Sequence, residues 1–187
     1  MMATRWGRGG VAFATVAWLI AASQGVRGQP AEAPRLVFET AAGNFTILTF
    51  PVEAPQSVAR IVDLVKRGFY NGQRVHRVQS GFVVQFGDPQ SRDLTQRDRW
   101  GRGPGAGSGR PIGSVEISGK RTHGPGAVGL AHLGKPAQAD CQLYITLDRR
   151  PELDRRYAVI GQIVDGVEVP GRLKVGDLIG RAYVVER

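Results

Sequence analysis

The stretch Val75–Asp88, VHRVQSGFVVQFGD, sets a cation, an aromatic ring and an amide among apolar residues: Arg77, Phe82 and Gln85. Side chains alternate between the two faces of a strand, so Arg77 falls on the face opposite His76 and Val78. Gly81 supplies a turn, and Phe82 and Gln85 follow on a second strand. The product is a β-hairpin presenting one fixed guanidinium beside a ring and an amide. An arginine keeps its charge at any physiological pH, and its donors form a rigid fork. Held in place, it can stabilise a polar transition state without forming a bond.

Other chemistries lack their residues. No G-x-S-x-G elbow occurs, and Asp88 and Glu116 have no evident carboxylate partner. GPGAVG (Gly124–Gly129) fits G-x-G-x-x-G, but Pro125 removes a backbone donor that a phosphate would need. The glycine-rich run 101–109 lacks the G-K-[ST] ending of a phosphate-binding loop. His76, His123 and His132 are not spaced as metal ligands, and Cys141 is the one cysteine. No metal and no cofactor are expected, and no internal disulfide is possible.

The elements that must carry the hairpin can be read from periodicity. RLVFET and GNFTILTF read as a β-hairpin joined near Ala41–Gly43. Glu53–Gly68 reads as a helix, with Pro55 in its first turn, Val58, Ile61, Val62 and Val65 on one face, and Gly68 as its stop. Further strands are expected at Val75–Val78, Phe82–Phe86, Ile112–Ile117, Ala127–His132, Leu143–Leu147, Tyr157–Val164 and Leu178–Val185. A short helix is expected within Gly166–Val175. Many short strands with one or two helices predict a mainly β fold, a closed antiparallel barrel. Gln90–Pro111, with five arginines and five glycines, is expected to be a long surface loop, either solvated or a rim that meets a partner.

The first residues are expected to be a leader. Arg5 and Arg8 precede the uncharged run Val11–Ala22, and small residues lead to a cut before Gln29. A dozen apolar residues fall short of the ~20 needed to span a bilayer. The expected organisation is a signal peptide over 1–28, a linker over 29–34 and one domain over 35–187, with no membrane span after cleavage and a periplasmic or secreted location. Loss of Arg5, Arg8 and Arg27 takes the formal charge from +9 to +6. That balance favours anionic surfaces weakly. The arginine loop contains one aromatic, Trp100, and is no nucleic-acid signature.

Val75–Asp88 resembles the signature of the cyclophilin family of peptidyl-prolyl cis-trans isomerases, F-H-R-x-x-x-G-F-x-x-Q-x-G-D. Every defined position but the first is met, Val75 standing for the aromatic. The resemblance continues in order through APQSVARIVDLVKRGFYNG, GPGAVGLAH, CQLYI and YAVIGQIVDGVEV, covering Arg35 to Glu186. It implies an eight-stranded barrel capped by one or two helices. It implies catalysis by Arg77, Phe82 and Gln85: Arg77 as the catalytic guanidinium, Phe82 as the floor of a proline pocket, and Gln85 on the substrate backbone. Ala131, His132, Tyr144, Leu153 and Tyr157 would bind substrate around it. Tyr144 replaces a phenylalanine, and Cys141 replaces a serine. The implied partners are proline-containing unfolded or partly folded polypeptides, met by a monomer. A proline-peptide binding module without catalysis is the alternative on the same fold.

Overall fold

The structure is a computed structural model that describes residues 32–102 and 107–185 together with Met1 and Met2. The expected leader therefore lies, beyond its first two residues, outside the described residues, as does the first half of the linker, 29–31. Eight strands form one antiparallel sheet: β1 (Arg35–Thr40), β2 (Gly43–Thr49), β3 (Arg77–Gln79), β4 (Val83–Phe86), β5 (Ala127–Leu130), β6 (Leu143–Thr146), β7 (Val159–Asp165) and β8 (Ile179–Val185). Their order is β3-β4-β6-β5-β7-β2-β1-β8. Helix α1 spans Pro55–Lys66, and the expected second helix is the four-residue α2, Val169–Arg172.

The expected closure of the barrel needs correction. β3 and β8 are the sheet's outer strands and share no ladder; one isolated bridge, Arg74 with Leu178, links the segments beside them. β3 is only three residues long, and irregular chain fills the seam. Residues 72–75 exchange backbone hydrogen bonds with 176–179 around Gly176, whose φ of 101° turns the chain out of strand geometry. The sheet is a curled half-barrel with its edges drawn together rather than a closed one.

The core lies between the curled sheet and α1. The buried face of α1 (Val58, Ile61, Leu64 and Val65) shares one core cluster with Leu36, Phe38, Phe45 and Ile47 from β1 and β2. Phe38 is the hub of an aromatic cluster, stacked on Phe45 at 5.3 Å and edge-on to Tyr70 and Phe86 at 5.5 and 5.2 Å. Such pairs add to the transfer energy of burying the rings.

Ile112–Ile117, expected as a strand, is irregular chain. Gly113 takes a φ of 82°, and the backbone of Ile112 and Gly113 bonds to carbonyls at 139 and 137 rather than to a strand. The segment also delivers Glu116 to the start of α1, where its two carboxylate oxygens accept from the Gln56 and Ser57 N–H groups at 2.9 and 2.7 Å. Ala54, at the cap position, has no side-chain acceptor for these donors. Glu116 is thus an N-cap supplied from sixty residues away, and its anionic charge complements the helix dipole. Replacing Glu116 with Ala is expected to destabilise the fold by about 1–2 kcal/mol in urea denaturation. An unchanged midpoint would show that solvent serves these N–H groups equally well.

Candidate active site

The β3–β4 pairing fixes which side chains share a face. Arg77 lies opposite Gln85, Val78 opposite Val84 and Gln79 opposite Val83. Val78, Val84 and Phe86 join the core, while Arg77, Gln85 and Val83 line a cleft on the other face. Val83 is a cleft residue and Phe86 a core residue, because positions 83 and 86 fall on opposite faces of one strand. Phe82 would fall with Val84 if the strand began there. It lies instead in the turn that Gly81 makes at φ 64°, and this frees its ring to join the cleft.

The guanidinium is held from two sides. Arg77 Nη2 donates to Gln79 Oε1 at 2.9 Å and Nη1 to Gln85 Oε1 at 3.4 Å. Gln85 is tied in turn to Gln142, its Nε2 donating to Oε1 at 2.9 Å. The Arg77 Cζ stands 5.7 Å from the centre of the Phe82 ring, within cation–π range. Arg150 approaches the same ring at 5.1 Å and donates to the Gly81 carbonyl. Phe82 is thus braced by two cations.

The opposite wall is aromatic. Tyr144 on β6 meets the edge of Tyr157 at 5.7 Å, and His132 stacks on Tyr157 at 4.3 Å. His132 Nε2 donates to the Arg156 carbonyl at 3.0 Å. Leu153, from the turn Pro151–Leu153, and Ala131, just after β5, complete it. All eight residues singled out from the sequence line one cleft of about 760 Å³.

The long loop forms the cleft's third side. It contains two 3-10 turns, Pro89–Arg92 and Leu94–Arg99, and Trp100 is buried with its indole N–H on the Asp93 carbonyl at 3.1 Å. Asp88 is fully buried and accepts from the Gln90 and Gly101 N–H groups. Asp140 accepts from Ser108, and Arg60 faces that carboxylate at 3.6 Å. Arg102 and Gly107 consequently face the cleft. Arg102, Gln142 and Arg150 were not singled out from the sequence. Gln142 had a signal, since it lies within the quoted CQLYI run. The other two are surface-type residues that only loop placement brings inward.

Burial keeps two groups of the cleft, Cys141 and Tyr144, in their protonated forms. Burial pushes the Cys141 thiol up to about 12, with Asp140 adding to it, so the sulfur stays protonated and donates to the Gly87 carbonyl at 3.2 Å. Burial likewise drives the Tyr144 phenol far above its ordinary value. Among the described residues, no three of His, Cys, Asp and Glu gather as a metal-ligand set.

His76, its ring packed against Gly101 of the long loop, is lowered to about 4 chiefly by burial, with Asp88 and Gln142 opposing and Arg77 assisting. Unfolded, an imidazole titrates near 6.5. Between these values the unfolded chain binds a proton that the folded chain refuses. Stability is therefore fully present above about 6.5 and is lost as pH falls toward 4, by up to about 3 kcal/mol. Urea unfolding followed across that window should show a positive slope that His76→Gln flattens. An identical slope in both proteins would remove His76 as the cause.

A family model described as cyclophilin type peptidyl-prolyl cis-trans isomerase/CLD matches residues 35–183. A peptidyl-prolyl cis-trans isomerase of Helicobacter pylori (strain ATCC 700392 / 26695) is 34% identical over 143 residues, which are 75% of this chain and 80% of that protein. In fold, the chain resembles a cyclophilin type isomerase of Cryptosporidium parvum at TM-score 0.71 and 21% identity, covering 83% of this chain and 99% of that one. It also resembles the cyclophilin AquaCyp293 of Hirschia baltica at TM-score 0.62 and 24% identity, covering 81% and 73%.

Proposed function

The chain belongs to the cyclophilin-type peptidyl-prolyl cis-trans isomerase family, and on that premise we propose that it accelerates X–Pro isomerisation in exported polypeptides while they fold. The observation that carries this reading is a permanent cation fixed by Gln79 and Gln85 over the Phe82 ring, at the edge of a cleft with an apolar far wall.

An X–Pro bond isomerises in tens to hundreds of seconds unaided, because rotation must break amide resonance worth ~18–20 kcal/mol. As the bond twists, the prolyl nitrogen regains its lone pair. A donor aimed at that nitrogen stabilises the twisted state more than either planar one, and this is what lowers the barrier. Arg77 has that role. Phe82, Tyr144 and Leu153 hold the proline ring, while Gln85 binds the backbone, so rotation is confined to the other side of the bond. Ala131, His132 and Tyr157 contact the residues that flank it. No covalent intermediate, cofactor or titrating group takes part.

The basic n-region and apolar run before Gln29 support export, with unfolded, proline-containing chains as the clients and a monomer as the acting form. Exchange NMR on an X–Pro tetrapeptide tests the activity. Faster cis–trans exchange at catalytic protein concentration supports the isomerase. Binding shifts without faster exchange would leave the same cleft as a proline-peptide binding module. Mass spectrometry of the protein recovered from outside the cytoplasm should give a mature chain beginning at Gln29; a full-length cytoplasmic chain would defeat the export reading.

A further inference from the structure

His123 lies behind the aromatic wall, 1% exposed, and all four of its polar groups are engaged. Its backbone N–H donates to Asp154 Oδ1 at 2.8 Å, and its carbonyl accepts from the Arg150 N–H at 2.7 Å. The ring Nδ1 meets Asp154 Oδ1 at 2.8 Å, and Nε2 meets the Tyr144 hydroxyl at 2.7 Å. A carboxylate can only accept, so Nδ1 carries a proton, and in the neutral tautomer that leaves Nε2 as an acceptor. In that tautomer the Tyr144 O–H donates to Nε2. Burial alone would raise the Asp154 carboxyl, but the bonds from His123 outweigh it and hold the carboxyl below its usual range.

Three of the residues that wall the cleft depend on these bonds. Leu153 and Tyr157 flank Asp154, in the segment that Arg150 begins. Tyr144 is fixed through its hydroxyl, and its ring lies across Gly129 of β5 so closely that a Cβ there would clash with Cζ and Oη. We infer that His123 is a positioning residue for the proline pocket: it pins Tyr144 down onto Gly129 and ties the Arg150–Tyr157 segment to it, thereby setting the pocket's width. Released from Nε2, the Tyr144 ring can lift off Gly129 into the cleft. The proline ring is held alike in the planar and twisted states, so a displaced wall weakens binding in all of them. It raises KM and spares kcat.

This inference rests on the isomerase reading only for the identity of the ligand. The test is a pair of substitutions that divide the two ring contacts. His123→Asn places an amide nitrogen where Nδ1 was and cannot reach Tyr144. His123→Gln reaches the position of Nε2 and can accept from the phenol. Kd and the saturated exchange rate are measured by NMR on the same tetrapeptide, with Tyr144→Phe as a third variant that keeps the ring and drops the bond. His123→Asn and Tyr144→Phe should each weaken peptide binding about tenfold with kcat within about twofold, and His123→Gln should recover most of the loss. Wild-type Kd in both His123→Asn and Tyr144→Phe, whatever happens to Tm, would overturn the proposal; so would a fall in kcat at unchanged Kd. If His123→Asn does not fold, Tyr144→Phe alone decides. If the wild type binds peptide but fails to speed exchange, the isomerase reading falls, and the Kd series still upholds or overturns the role of His123.

Discussion

Arg77→Ala should lower kcat/KM on an X–Pro peptide by roughly 100- to 1000-fold, or about 3–4 kcal/mol, the range for removing one preorganised donor from a transition state. The melting temperature should stay where it is. Arg77 is exposed, and its partners Gln79 and Gln85 lie where water can replace it. The loss should appear mainly in kcat, since the cation acts on the twisted amide more than on the planar one. Arg77→Lys keeps the charge but loses the flat fork that spans Gln79 and Gln85, so it should recover only part of the activity. Exchange NMR with matched thermal scans checks both variants. Activity of Arg77→Ala within a few-fold of wild type would remove the guanidinium from the mechanism, leaving pocket binding as the only contribution of the site.

The opposite pattern is expected at Phe86. This ring is fully buried on the inner face of β4, next in sequence to Gln85, and packs edge-on against Phe38 at 5.2 Å and more distantly against Tyr70 and Phe45. Phe86→Ala removes those contacts and leaves a void that the surrounding aromatic cluster can only partly close. Such truncations cost about 3–5 kcal/mol. For a domain of this size that corresponds to a fall in Tm of about 10 °C. Since a native fold has only about 5–15 kcal/mol to lose, the variant should stand near the edge of folding at 37 °C. Per folded molecule, its turnover should remain close to wild type, because no group in the cleft has changed. Calorimetry together with activity normalised to the folded fraction separates the two effects. A drop in Tm of only a degree or two would mean that the core refills around the missing ring.

The first hairpin and α1 were legible almost to the residue. Alternation over 35–40 and 43–49 and the spacing of Val58, Ile61 and Val65 are local patterns, repeated by the backbone every two or 3.6 residues. Ala131, His132, Tyr144, Leu153 and Tyr157 come from three other stretches, whereas Arg77, Phe82 and Gln85 stand in one ordered run, Val75 to Asp88, written in a single stretch of chain. Local patterning misplaced the edges of that stretch. Read as a strand residue, Phe82 cannot point the same way as Gln85; the turn at Gly81 resolves this by releasing it from alternation.

What the tertiary structure alone decided are contacts between residues far apart in the chain. Glu116 reads as a strand residue until α1 is seen to lack a cap. The arginine-rich loop reads as either a solvated excursion or a partner-facing rim until Asp88, Asp140 and the buried Trp100 tie it down beside the cleft. His123 is separated from Tyr144 by 21 positions and from Asp154 by 31, and no period connects them. The seam between β3 and β8 likewise depends on where two distant segments meet. Periodicity records only how each residue faces relative to its near neighbours. Which partner waits on that face is settled when the sheet curls, and a single polar contact made then leaves no repeat in the sequence to announce it.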